Sequence, residues 1–217
     1  MARPTVCFTP GKVHRCCNGP VTEPLAFTSG PAEGALIGVS VAWWLFEAVM
    51  NLRQRLRAGR HPGWDPTYVL VYLSVAASVI AAQLLGRRGN LLWPGGLVWP
   101  LVTGLILIVA CVALRAWSII TLGRFFQYSI RIQSGHTVVT TGPYRFVRHP
   151  SYTGLTLGVV GYALACGDIW SLLAAAVLAG LGLTFRIRVE ERQLHDALGP
   201  GYDVFAAHHK RLIPGIF

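Results

Sequence analysis

The chain has 217 residues, 53% hydrophobic and only 13% charged, with a net charge of +10 at neutral pH. A soluble domain of this size carries about a quarter charged residues, so the composition excludes that class and predicts one multi-span membrane domain. The basic balance does not predict a nucleic-acid partner, because Lys and Arg fall between the apolar runs and do not gather on one face.

Residues 1–34 are rich in Pro and Gly and lack the continuous apolar core of a signal peptide. They read as a flexible, non-cytoplasmic tail. Cys7, Cys16 and Cys17 lie there with His14, but without the Cys-x-x-Cys spacing of a zinc site, and no metal is expected. From residue 35 to residue 217 the chain reads as a single all-α integral membrane domain, with spans at about 35–52, 68–85, 97–122, 151–166 and 169–186 and a tail at 187–217. Glu47 lies near the end of the first run, where an acid can reach the interface, and a structural role is expected. Arg115 falls late in the third run, about 27 Å along a helix from Leu97, so it is expected near an interface as well. The fourth run carries Gly154, Gly158 and Gly161 at the spacing that lets helices approach closely. Gly167-Asp168 turns it into the fifth.

The stretch from His136 to Gly154, H-T-V-V-T-T-G-P-Y-R-F-V-R-H-P-S-Y-T-G, is far richer in chemistry than a span connector needs to be. Gly142-Pro143 signals a turn. The residue before a proline is pushed out of the helical region, so His149 should sit outside the helix and Pro150 should open it. His149, Ser151 and Tyr152 then gather at a helix N-terminus, where free N–H groups favour an anionic group.

Charge orients the stack. Thirteen of the nineteen Lys and Arg follow spans one, three and five, against five in the tail and the loop after span two. The positive-inside rule predicts a multi-pass cell-membrane protein with its N-terminus out and its C-terminus cytoplasmic. The His136–Tyr152 loop and the C-terminal tail thereby share a side. In that tail Arg186 and Glu190 stand one helical turn apart on one face, with Glu191 and Leu194 on an adjoining one. Gly199 is the expected helix stop, and Leu212–Ile216 could rest an apolar end on the membrane surface.

With both stretches in view, the chain resembles the isoprenylcysteine carboxyl methyltransferase family of membrane enzymes, to which phospholipid methyltransferases are similar in the same region. The matching pieces are G-H-T-V-V-T-T-G-P-Y, R-H-P-S-Y-T-G, Arg186-x-x-x-Glu190-Glu191, L-G-x-x-Y and R-L-I-P, in order between about Arg115 and Phe217. Pro200-Gly201 and Phe205 depart from the family pattern at the rim of the tail. The resemblance implies a cytoplasmic site for S-adenosylmethionine, formed by the loop before the fourth span and the C-terminal helix. Its lining would come from His136, Val138, Val139, Tyr144, His149, Tyr152 and Glu190, with Arg186 and Glu190 as the catalytic pair. The acceptor it implies is lipophilic and enters from the membrane lipids: an isoprenylcysteine-like or other lipid-tailed acid, taken as a small molecule or as a prenylated substrate. Phospholipid or small-molecule N- or S-methylation is the alternative, and an NADPH-dependent reductase of the sterol-reductase kind is a second. No Gly-x-Gly-x-x-Gly follows a strand, so a soluble dinucleotide-type fold is not the cofactor site.

Overall fold

The computed structural model describes residues 6–9, 12–15, 24–57, 65–89, 91–93, 98–126 and 138–214. Two strands, β1 (Val6–Thr9) and β2 (Lys12–Arg15), pair antiparallel with Val6 opposite Arg15. They are followed by a helical turn, α1 (Leu25–Thr28), and then by α2 (Gly30–Arg57), α3 (Pro66–Gly86), α4 (Val98–Leu122), α5 (Pro150–Ala165), α6 (Ile169–Leu198) and α7 (Pro200–His208). The hairpin and α1 are order that the reading of residues 1–34 as a loose tail did not assign. Val6, Phe8 and Thr9 favour strand in β1 and Val13 alone does so in β2, a signal too short to separate from loop.

α2, α3, α4 and α6 are long and apolar enough to cross a membrane. α5 has 16 residues, about 24 Å of helix, which is shorter than the hydrocarbon core. It nevertheless runs from one end of the bundle to the other and is buried along most of its length. The outward faces of the four long helices carry exposed Ile37, Leu45, Leu73, Ile80, Ile106, Val109, Val177 and Leu181. A helix bundle that turns large aliphatic side chains outward is built for lipid.

Small residues set the packing around α5. A Cβ at Gly161 would stand 2.7 Å from the Gly104 carbonyl oxygen, and one at Gly158 would stand 2.8 Å from the Trp43 ring. α4 and α5 therefore approach backbone to backbone, as the glycine spacing predicts. Two aspartates start helices by the same device. Asp168, fully buried, caps α6 through Oδ1, which accepts from the Trp170 N–H at 2.9 Å and the Ser171 N–H at 3.2 Å. Its Oδ2 accepts from the Leu91 N–H at 2.7 Å and ties the α3–α4 connection to the α5–α6 turn. Asp65 caps α3 in the same way, with Pro66 as the first helical residue.

The two ends of the bundle differ. One holds the Asp168 turn. The other holds the start of α5 and the end of α6, which continues beyond its apolar part at Phe185 into a charged extension from Arg186 to Leu198. Gly199, at φ 55°, stops that helix, and Pro200 opens α7. The tail then returns to the loop before α5. The Arg148 N–H donates to the Lys210 carbonyl at 2.8 Å and the His149 N–H to the Arg211 carbonyl at 3.0 Å. The Thr153 hydroxyl completes the seam on the Leu212 carbonyl at 2.8 Å.

Candidate active site

At this charged end a cavity opens, with about 1370 Å³ of empty space including its mouth. Its walls come from α2, α3, α4, the loop before α5, α5, α6 and α7. Val138, Val139, Tyr144, His149, Tyr152, Arg186 and Glu190 all line it. These are the expected site residues with one exception, His136, which lies outside the described residues. The body of the cavity is apolar and aromatic, with Trp43, Trp44, Val71, Val75 and Leu155 on its walls.

Local geometry explains the grouping. His149 precedes α5 at φ −125° and ψ 60°, outside the helix, with Pro150 in the first turn. This swings His149 toward α6, where its Nε2 lies 3.2 Å from Glu191 Oε1 and its Nδ1 lies 4.0 Å from Glu190 Oε1. Tyr152, one turn into α5, donates its hydroxyl to Glu190 Oε2 at 2.6 Å and accepts from Arg186 Nε at 3.0 Å. The phenol therefore joins the expected catalytic pair, whose own Nε–Oε2 separation is 3.9 Å.

Arg186 is held from a third side. Its Nη1 donates to Asp65 Oδ2 at 2.6 Å and contacts the Thr67 hydroxyl. Asp65 is 121 positions away in sequence, and the sequence reading did not single it out. The only local signal was Asp-Pro, which reads as a helix start.

Glu191 anchors the tail. Arg148 lies 2.9 Å from its Oε1, and Arg211 lies 2.9 Å from its Oε2. Burial pushes its carboxyl pKa up, but hydrogen bonds from His149 and Arg211 and the charge of Arg148 outweigh this and hold it down at about 2. Tyr202 of α7 closes the same wall, and burial pushes its phenol up to about 12.

A second ion pair lies deeper. Arg115 donates to both oxygens of Glu47, with Nη2 at 2.6 Å from Oε2, and its Nη1 donates to the Ser151 carbonyl at 3.0 Å and hydroxyl at 2.9 Å. Both side chains are buried, and both line the cavity. The expected interfacial setting for Glu47 and Arg115 gives way here to an internal one. Two opposite charges one helix apart satisfy each other, so neither has to reach water.

Charge around the cavity is thus nearly matched. Glu47 faces Arg115, Asp65 faces Arg186, and Glu191 faces Arg148 and Arg211. Glu190 differs: among the described residues its basic neighbours, Arg186 and His149, stand at 3.9 and 4.0 Å, and its side chain is 25% exposed.

Fold and site together define a multi-pass α-helical membrane protein with a charged pocket at one end of an apolar cavity. Residues 104–196 match the model of the isoprenylcysteine carboxyl methyltransferase (ICMT) family, the same family that the sequence motifs resemble. Protein-S-isoprenylcysteine O-methyltransferase B of Arabidopsis thaliana is 38% identical over 106 residues, covering 48% of this chain and 53% of that protein. The Homo sapiens Protein-S-isoprenylcysteine O-methyltransferase is 32% identical over 127 residues, covering 56% of this chain and 44% of that one. The chain spans about half the length of the curated relatives it matches. A solved structure of the eukaryotic intramembrane Ras methyltransferase ICMT aligns with a TM-score of 0.59 at 19% identity, over 88% of this chain and 70% of that one. This likeness extends the shared fold beyond the region matched in sequence.

Proposed function

We propose that the chain is a membrane methyltransferase that uses S-adenosylmethionine to methylate the carboxylate of a lipid-tailed acid, isoprenylcysteine-like in kind. The observation that carries this reading is the junction, in one cavity, of the Tyr152–Glu190–Arg186 network with an apolar, aromatic body. The names of the curated relatives point to the same chemistry.

The residues fit the cofactor. Glu190, whose described ion pair with Arg186 is long at 3.9 Å and whose side chain is partly exposed, suits a ligand that carries a sulfonium and an amino group. Tyr144 and Tyr152 offer aromatic faces to positive charge, and Val138 and Val139 offer an apolar wall. Among the described residues, Arg148 Nε and the Tyr202 hydroxyl are buried polar groups without a hydrogen-bond partner of good geometry, suited to the carboxylate end. His136 belongs to this proposed set by its motif alone. S-adenosylmethionine supplies a methyl group already activated on sulfur.

What remains for the protein is alignment and exclusion of water. An acceptor carboxylate is ionised at neutral pH and needs no general base. Arg186 is the cation at the cavity wall that would hold it, and Glu190 balances the charge on the cofactor side. The apolar body between α2, α3 and α4 takes the lipid tail. The basic end of the bundle is then cytoplasmic, and α5 crosses the membrane as the fourth of five spans.

Thermal unfolding with added cofactor tests the site. S-adenosylmethionine should raise the midpoint of the wild-type protein and of Arg57→Ala, but not of His149→Ala or Tyr152→Phe. NADPH should raise none. A shift with NADPH, or equal shifts in all variants with S-adenosylmethionine, would refute the proposed site.

A further inference from the structure

Arg186 is the residue on which the proposed chemistry turns, and the short hydrogen bonds described for its guanidinium come from outside α6. The side chain is 2% exposed and reaches across to α3, where a single carboxylate performs two tasks. Asp65 Oδ1 accepts from the Thr67 N–H at 2.9 Å and the Thr67 hydroxyl at 2.6 Å, which starts α3. Asp65 Oδ2 accepts from Arg186 Nη1 at 2.6 Å. On its other edge the guanidinium donates from Nε to Tyr152. Arg186 is therefore gripped closely from α3 and from α5, whereas its α6 neighbour Glu190 stands 3.9 Å away.

Among the described residues, Arg186, Tyr152 and Glu190 line the cavity and Asp65 does not. A carboxylate set behind the guanidinium does not touch an acceptor. It determines where the guanidinium sits and prevents it from collapsing onto Glu190, one turn away on the same helix. Among the described residues, the next anion for Arg186 after Asp65 is Glu190. Closing that 3.9 Å gap would tighten the pair and take Glu190 away from the cofactor's positive charge.

We propose that Asp65, at the N-terminus of α3, is a positioning residue for methyl transfer, acting through Arg186 to keep the acceptor-holding cation apart from Glu190. This role rests on the function proposed above and adds to it a residue from the first half of the chain, outside the 104–196 region that matches the family.

Asparagine separates the two tasks of Asp65, because it caps a helix as well as aspartate but carries no charge. Asp65→Asn should keep α3 capped but lower the thermal midpoint, because it removes the charge partner of a buried guanidinium. Its kcat/KM for the acceptor should fall about 10- to 100-fold, as expected when a charged hydrogen-bond partner is removed. Because Arg186 then moves onto Glu190, the KM for S-adenosylmethionine should rise as well. Asp65→Glu restores the charge on a longer arm and should recover part of the activity at a lower midpoint, since glutamate caps poorly. Wild-type kinetics in Asp65→Asn would overturn the role and leave the proposed function standing. So would Asn and Glu variants whose activity merely tracks their loss of stability. A wild-type chain that transfers no methyl group to any lipid-tailed acid would overturn the function and this role together.

Discussion

Arg186 bridges two helices through separate atoms of one planar group, Nη1 to Asp65 and Nε to Tyr152. A lysine ammonium keeps the charge but cannot span both partners. Arg186→Lys should therefore lose most of its methyl transfer, about 10-fold or more, while S-adenosylmethionine still protects the protein in thermal unfolding. Full activity in that variant would remove Arg186 from the mechanism. Glu191 gives a pH signature. Its carboxyl is held at about 2, below its usual value. A group depressed in the folded state stabilises fully above its unfolded pKa and loses that contribution as pH falls toward the folded value. The seam between residues 199–214 and the loop before α5 should thus hold at neutral pH and loosen between about pH 4.5 and 2, read as increased hydrogen exchange in α7. Glu191→Gln should already exchange faster at pH 7. At this scale the motif made Arg186, Glu190, His149 and Tyr152 legible, because their spacing is local or repeats a family pattern. Asp65, Glu47 and Arg115 were not legible in their roles, since each is defined by a partner from a distant helix.

Among the elements, α5 shows how far periodicity can be read. Its glycines predicted close packing, and the predicted proline start and Gly-Asp turn at its end are where the helix begins and stops. Which neighbour each glycine meets depended on tertiary pairing: Gly161 on the backbone of α4, Gly158 on Trp43. Gly161→Val should overpack the α4–α5 contact and cost about 1–3 kcal/mol, visible as a lower thermal midpoint in detergent. Gly180→Ala, where an added Cβ meets nothing within 4 Å, should leave the midpoint unchanged. Glu47→Ala would strand a buried Arg115 and loosen the start of α5 through Ser151, a loss of about 3–5 kcal/mol. The β1–β2 hairpin and the short α1 escaped the sequence reading because four-residue elements leave almost no periodic signal.

For the molecule as a whole, the run of apolar segments made the membrane class legible, and the charge asymmetry marked the end at which the candidate cavity opens. The described residues put the loop before α5, the charged extension of α6 and α7 at that same end. An impermeant maleimide applied to intact cells should label a cysteine at Gly89, on the α3–α4 connection, and leave one at His195 unlabelled. The reverse pattern would invert the orientation. The central claim concerns the acceptor atom, and one measurement addresses it directly. The purified protein is given methyl-labelled S-adenosylmethionine and a farnesylated cysteine derivative with a free carboxylate, and the product is treated with mild alkali. A carboxyl methyl ester releases its label as methanol, whereas methyl groups on nitrogen or sulfur survive. The account predicts alkali-labile label, formed at a rate nearly flat between about pH 6 and 9, where the carboxylate stays ionised. Alkali-stable label, with a rate that climbs as an amine loses its proton, would contradict it.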